Sequence, residues 1–560
     1  MNRWSGRLTG AATAVALVGA LTAGALPGGA ASASGQLRDY LVFYSDGARD
    51  RAVAAIEAGG GTALSTEPRL GYVIATGPGD RFVEGLAGSD AVAGVSSNRK
   101  IGSATALPAT ASAGRVSAPD VRQAPLPRGA EPLSRGAEPL AGRQWDMKMI
   151  GATVDGSYAT APGSKKVLVG VIDTGVDGRH PDIAPNFNRA LSRNFVTDMP
   201  KDSKGVVFDG PCEFKGCKDP VDWDDDGHGT HVASTIGSPI NGLGIAGVAP
   251  RVSLVNLRAG QDAGLFFLKP SLDALTYAGD VGIDVVNMSY YVDPWLFNCK
   301  ANPADSKAEQ LEQRGVITGM QRALDYARKR GVTLISALGN DLNDLGKPKV
   351  DSISPDYPDD SVRVRKVDNS CVNVPAESRG VISVSALGKS GRKAYYSDYG
   401  VEQTDLSAPG GDEYDGTGKP DSTRSILAAA PEHVLRAQGL IAGDGRTKGS
   451  SAVRDCRNGT CAYYQYLAGT SMASPHAAGV AAILISRFGK PRKDGVGMRP
   501  ADVERLLYAT ATKKPCPSPR KHVYLIEDQK FTQTCEGSRS RNGFYGRGVV
   551  NAAKAATVKR

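Results

Sequence analysis

The sequence predicts an α/β protein built on a parallel sheet with helices on both faces, preceded by a smaller α/β unit. Three observations carry that reading. Beyond residue 144, short apolar runs alternate with helical stretches; a separate strand and helix pattern occupies the first hundred residues; an Ala/Pro/Ser/Gly-rich stretch divides the two. At 560 residues the chain is longer than one ordinary domain. Its 41% hydrophobic and 22% charged content, with 68 glycines, describes a folded protein rich in turns, which excludes the disordered and fibrous classes. The net charge of +9 is spread without long Lys/Arg runs or interleaved aromatics, so no nucleic-acid role is expected.

Taken in order, Arg3 and Arg7 precede an apolar stretch from Ala11 to Leu26, and Ala31, Ser32 and Ala33 form an A-x-A cleavage pattern. This predicts a signal peptide over residues 1–33, because the apolar stretch is short of the ~20 residues that span a bilayer. No later segment qualifies as a span, so no membrane association is expected once the signal is removed. Residues 34–102 hold strands at Tyr40–Tyr44, Gly71–Thr76 and Val92–Val95 and helices at Arg49–Ala58 and Arg81–Leu86. Residues 103–143 read as an extended linker with a near repeat, RGAEPL at Arg128–Leu133 and again at Arg135–Leu140. Residues 144–560 then supply strands at Val167–Ile172, Val252–Leu257, Val285–Met288, Val332–Ser336 and Val381–Val384. Helices are expected near His228–Ile236, Ile317–Lys329, Ser471–Arg487 and Ala501–Ala509. Ligands of such sheets bind beyond the carboxyl ends of the strands.

Export would place the eight cysteines where disulfides persist, and an even count suits full pairing. Cys212 with Cys217 and Cys456 with Cys461 read as local staples, Cys516 with Cys535 closes a longer loop, and Cys299 with Cys371 takes the remainder. Zinc at the two C-x4-C units is the alternative.

The chemistry lies in three separated stretches. KKVLVGVIDTGVD puts Asp173 at the end of a buried strand; DGHGTHVAS offers His228 with small residues around it; GTSMASPHAAGVAAIL sets Ser471 in the first turn of a small-residue helix, with Pro475 tolerated early in it. Free N–H groups at a helix start suit a serine whose substrate develops an oxyanion. Each stretch alone has a bland structural reading. Together, in order, Asp173, His228 and Ser471 provide the orienter, base and nucleophile that serine catalysis requires. A zinc-protease reading of His228 and His231 fails on spacing, since they stand at i, i+3 without an intervening Glu. His231 is therefore expected to be structural.

On DTGVD, HGTHVAS and GTSMASPHAAG the sequence resembles the subtilisin-like serine proteases. SALGND at Ser336–Asp341 resembles the family's strand ending in Gly-Asn, which implies Asn340 as the side-chain donor of the oxyanion hole. GFYGRGVVNAAKA at Gly543–Ala555 resembles the family's closing segment, so the resemblance runs from Gln144 to Arg560 and implies no appended C-terminal domain. It implies a three-layer, subtilisin-like catalytic domain over 144–560, a ferredoxin-like inhibitory propeptide over 34–102, and a maturation cut in the linker. A retained accessory domain is the alternative for 34–102. By position, Ser289, Tyr290 and Tyr291 and then Ala337, Leu338 and Gly339 would form the two edges that hold an extended peptide. The implied protein is a secreted, monomeric serine endopeptidase acting on proteins or peptides, with its own propeptide as inhibitor and no cofactor in catalysis. Structural calcium at Asp222, Asp224, Asp225 and Asp226 is the one metal reading the resemblance adds. The function from another class is a catalytically silent peptide-binding protein of the same fold.

Overall fold

A computed structural model of the chain describes residues 37–97, 136–202, 205–358, 361–416, 418–492 and 495–559. The expected signal peptide, and the linker up to residue 135, lie outside the described residues. Within 37–97 the order is β1 (Arg38–Tyr44), α1 (Arg49–Ala58), β2 (Thr62–Glu67), β3 (Tyr72–Gly77), α2 (Asp80–Leu86) and β4 (Val92–Ser97). The strands form one antiparallel sheet in the order β2-β3-β1-β4, a ferredoxin-like arrangement. Strand β2 has no counterpart among the sequence expectations. Its TALSTE residues are exposed or half-buried, so no alternation of apolar and polar residues marks it.

The larger part begins with two short helices, α3 (Trp145–Ile150) and α4 (Ser157–Thr160). Its centre is a seven-stranded parallel sheet of β5 (Leu168–Ile172), β6 (Arg193–Asn194), β7 (Ser253–Arg258), β8 (Val285–Met288), β9 (Thr333–Ala337), β12 (Val381–Leu387) and β13 (Leu406–Pro409). These lie in the order β13-β12-β9-β8-β5-β7-β6. Successive strand residues face opposite sides, so neighbours divide between two cores. Val169, Val171, Val285, Ile335 and Val384 join the core built with α5 (His228–Gly237), α9 (Thr470–Phe488), α10 (Pro500–Thr510) and α11 (Ala552–Thr557). Ile172, Val286, Met288 and Leu334 join the one built with α6 (Leu268–Asp280) and α7 (Lys307–Lys329). The result is the three-layer architecture expected.

Around it lie a two-stranded ribbon of β10 (Val350–Asp351) and β11 (Arg365–Lys366), and an antiparallel sheet of β14 (Ile426–Ala429), β15 (Ala452–Arg457) and β16 (Thr460–Leu467). The small helix α8 (Glu432–Ala437) follows β14, and two hairpins complete the chain, β17 (Lys490–Arg492) with β18 (Gly495–Gly497) and β19 (Lys521–Ile526) with β20 (Gln529–Thr534). All four expected cysteine pairs are joined, Cys212–Cys217, Cys299–Cys371, Cys456–Cys461 and Cys516–Cys535.

The short helices α3, α4, α8 and α11 have no counterpart among the expected ones, and two longer helices also differ from expectation. Helix α7 starts ten residues before the predicted Ile317, because Ser306 and Glu309 form a reciprocal capping box that fixes a polar first turn. Helix α6 was hidden by Pro270, which sits in its first turn, where proline costs no hydrogen bond. Both matter, since α6 and α7 carry the ferredoxin-like sheet. Strand β4 lies so close to α7 that a Cβ at Gly315 would stand 2.7 Å from the Val95 carbonyl oxygen. Leu41, Phe43, Leu70 and Tyr72 share a core with Val316, Met320 and Ala323. The Arg322 guanidinium donates to the carbonyls of Tyr44, Leu70 and Gly71, and Arg69 pairs with Asp280 at 2.9 Å.

Candidate active site

The carboxyl ends of β5, β8 and β9 and the start of α9 converge on one cleft of about 350 Å³. Strand β5 is buried except at its first residue, and it delivers Asp173 with no exposed surface. Asp173 Oδ1 accepts from the backbone N–H of Thr174 at 2.9 Å and meets His228 Nδ1 at 2.7 Å. The start of α5 is held by Asp224, whose carboxylate accepts from the backbone N–H groups of Gly227 and Thr230 and from the hydroxyls of Thr230 and Thr174. Gly229 permits the close approach: a Cβ there would fall 2.0 Å from the carbonyl oxygen of Gly175.

Ser471 sits at the second residue of α9 and lines the same cleft as His228. Its hydroxyl donates to the Ser289 carbonyl oxygen at 3.2 Å rather than to His228. Were Ser471 to pass its proton to the imidazole, its hydroxyl would first have to leave the Ser289 carbonyl, a tightening that substrate-free sites commonly leave undone. Across the cleft, Asn340 follows β9. Its Oδ1 accepts from the backbone N–H of Thr470 and from the Thr470 hydroxyl, both at 2.9 Å. A backbone N–H can only donate, so the assignment of the amide is fixed and its NH2 is left for the cleft.

The imidazole of His228 is pulled in two directions. Burial disfavours the cation, but Asp173, and behind it Asp226 and Asp224, favour it more, and the pKa rises to about 9. A protonated His228 can take no further proton, so if it serves as the general base, kcat/KM is expected to rise with pH through that value. Asp226→Asn removes one of the charges that hold the proton and moves the acid limb to lower pH. A pH profile of the variant against the parent checks this, and a limb that stays in place would mean that solvent screens Asp226.

The acidic stretch divides its labour. Asp222 pairs with Arg179 and Arg189, Asp224 caps α5, Asp225 binds His433 at 3.0 Å and the Trp223 indole N–H at 2.7 Å, and Asp226 accepts from the His228 backbone N–H at 2.9 Å. Among the described residues, the carboxylate groups compact enough for one ion are Asp198 with Asp219 and Asp262, and Glu213 with Asp219 and Asp225. Arg258 is already bound to all three members of the first. His231 is fully buried and pushed down to about 3 by burial; its Nε2 bonds the carbonyls of Ile426 and Gln465 and ties α5 to the β14–β16 sheet.

Of the residues assigned to the two cleft edges, Ser289, Tyr290, Tyr291, Ala337 and Gly339 line the cleft. Leu338 does not. It is fully buried and joins Leu296, Phe297 and Leu345 in a core cluster, because alternation along the strand end turns its side chain away from Ala337 and Gly339. Tyr290 stacks on Phe266 with ring centroids 4.2 Å apart, and Tyr291 donates its hydroxyl to Asp356, so part of their bulk is taken into the wall. Two contributors lie outside the sequence expectations. Thr470 orients Asn340, and its place between the glycine and serine of GTS is the signal that points to it. Asp398 is buried and accepts from the backbone N–H groups of Asp341 and Asn343, holding the turn after Asn340; nothing in its SDYG context marks it.

A family model described as the subtilase family matches residues 164–539. The thermophilic serine proteinase of Bacillus sp. (strain AK1) is 27% identical over 334 residues, covering 60% of this chain and 55% of that protein. An extracellular protease of Xanthomonas campestris pv. campestris is 27% identical over 424 residues, covering 73% of this chain and 54% of its own length. The chain thus spans about half of these two relatives. Among solved structures, the epidermin leader peptide processing serine protease of Staphylococcus aureus superposes with a TM-score of 0.57 at 20% identity, covering 93% of this chain and 98% of that one, a likeness of fold.

Proposed function

The chain belongs to the subtilase family of serine peptidases, and from that premise we propose that it is a secreted endopeptidase made as an inactive precursor. The observation that carries the reading is the Asp173–His228 bond at 2.7 Å facing a serine at a helix start, with the Asn340 amide turned into the same cleft. In this reading Ser471 attacks the scissile carbonyl, His228 takes its proton and passes it to the leaving amine, and Asp173 holds the imidazole tautomer. The Ser471 N–H and the Asn340 NH2 bind the oxyanion of the acyl-transfer intermediates. In this reading the steps need only these groups and water, and a structural calcium in the Asp222, Asp224, Asp225 and Asp226 stretch would compete with the partners those carboxylates already hold. The ferredoxin-like unit on α6 and α7 is the inhibitor, and a cut in the linker frees the mature, monomeric enzyme for protein or peptide substrates. A retained accessory domain is the alternative, and loss of the unit from the processed, active chain would separate the two. The disulfides, and the relative named as extracellular, support export.

Hydrolysis of an unfolded protein by the processed chain tests the proposal. Phenylmethylsulfonyl fluoride is expected to stop it and brief exposure to chelator to leave it intact. Immediate loss with chelator alone, without unfolding, would favour a metal hydrolase instead. A folded protein that binds peptides without cutting them would favour the silent alternative.

A further inference from the structure

The cleft is acidic in a basic protein. Against a net charge of +9, its lining holds Asp226, Asp293 and Asp341 and no Lys or Arg. Asp226 and Asp341 make no ion pair with Lys or Arg among the described residues. Asp293 accepts from the Phe266 backbone N–H, and Asp293, Asp356 and Asp341 all act on the phenol of Tyr291. Two buried cations are committed elsewhere: Arg365 donates to Asp305, Asp351 and the Phe297 carbonyl, and Lys393 to the carbonyls of Ala394 and Ser397. The three lining carboxylates do not make up either of the groups compact enough for a metal ion. Once His228 has lost its proton the lining carries negative charge alone, and a low-dielectric cleft of one sign concentrates ligands of the other.

Position in the sequence says which part of a ligand each carboxylate meets. Asp341 directly follows Asn340 and stands on the oxyanion side of Ser471. Asp226 precedes His228 by two residues and stands on the base side. A peptide bound in extended form points successive side chains to opposite faces. A side chain of the residue whose carbonyl is attacked, lying along the Ala337–Asp341 wall, puts the preceding side chain toward His228 and Asp226. Resting on the peptidase reading above, we propose that the enzyme selects substrates with basic residues immediately before the scissile bond, Asp341 with Asp293 receiving the first side chain and Asp226 the second. Between residues 98 and 143 the sequence contains one adjacent basic pair, Arg99 and Lys100, and a peptide of that stretch, SSNRKIGS, is the natural probe.

The test profiles the processed, full-length-derived enzyme at alkaline pH against SSNRKIGS, the same peptide with Lys100 or Arg99 replaced by Leu, and a mixed peptide library. Cleavage after Lys100, and library cleavage after Lys or Arg, are expected. Asp341→Asn should lower kcat/KM for the parent peptide on the order of 10- to 100-fold while the Lys100→Leu peptide gains on it. Asp226→Asn should act in the same way on the Arg99 preference. A paired charge reversal, Asp341→Lys with Lys100→Glu in the peptide, should recover part of the lost rate, which a merely structural defect would not allow. An active enzyme that cuts mainly after apolar residues, or whose preference is unmoved in Asp341→Asn, overturns the proposal and leaves the peptidase reading standing. Absence of any hydrolysis, with no reaction toward phenylmethylsulfonyl fluoride, would instead remove the reading on which it rests.

Discussion

Ser471→Ala is expected to lower kcat by roughly six orders of magnitude, about 8 kcal/mol of transition-state stabilisation, with little change in KM. The figure is that of subtilisin, a member of the same family. The loss is this large because serine, base and orienter act as one unit: without the hydroxyl, the Asp173–His228 pair has no proton to remove. Residual turnover of roughly three to four orders above water is expected from the oxyanion donors alone. Among the described residues the Ser471 hydroxyl bonds the Ser289 carbonyl alone, so the variant should fold and retain the docked N-terminal unit. Steady-state kinetics with melting curves for both forms check this. A fall of one or two orders would mean that another group can serve as nucleophile.

The second large effect is on stability. Arg365 is fully buried and binds Asp305 at 2.7 Å and Asp351 at 2.6 Å, both also buried, while its guanidinium lies 4.6 Å from the Trp295 ring centroid. Arg365→Met keeps most of the volume but leaves buried Asp351 without its cation and Asp305 with Arg363 alone, at 2.9 Å. Removing one partner of such a network costs about 3–5 kcal/mol, since the remaining charges stay desolvated. A drop in Tm on the order of 10 °C is expected by differential scanning calorimetry. Replacing Asp305, Asp351 and Arg365 together by apolar residues should recover much of it, because the penalty belongs to the unpaired charge rather than to the loss of the pair.

The residues of the proposed triad were legible in the sequence because chemistry constrains such groups twice. Asp173 must end a strand and His228 and Ser471 must open helices, so each carries a local signature as well as a role. The sheet was legible for a similar reason: strands buried on both faces read as continuous apolar runs. What the sequence hid was held by contacts remote in the chain. Asp398 acts through the backbone of Asp341 and Asn343, and the division of Asp222 to Asp226 among Arg179, Arg189, Trp223, Thr230 and His433 depends on partners no spacing reveals. Strand β2 was hidden by its polar, exposed residues, and the first turns of α7 by a capping box in a polar run. Leu338 was misplaced by carrying over a run of three residues where the backbone alternates.

The central claim is that Ser471 is the nucleophile of an assembled serine peptidase site. Reaction of the processed protein with a fluorophosphonate probe, followed by mass spectrometry of the labelled peptide, tests it most directly. A single adduct on Ser471, formed faster as pH rises toward about 9 and absent in Ser471→Ala, is the expected result. An adduct on another serine, or none on a folded and processed chain, would contradict it.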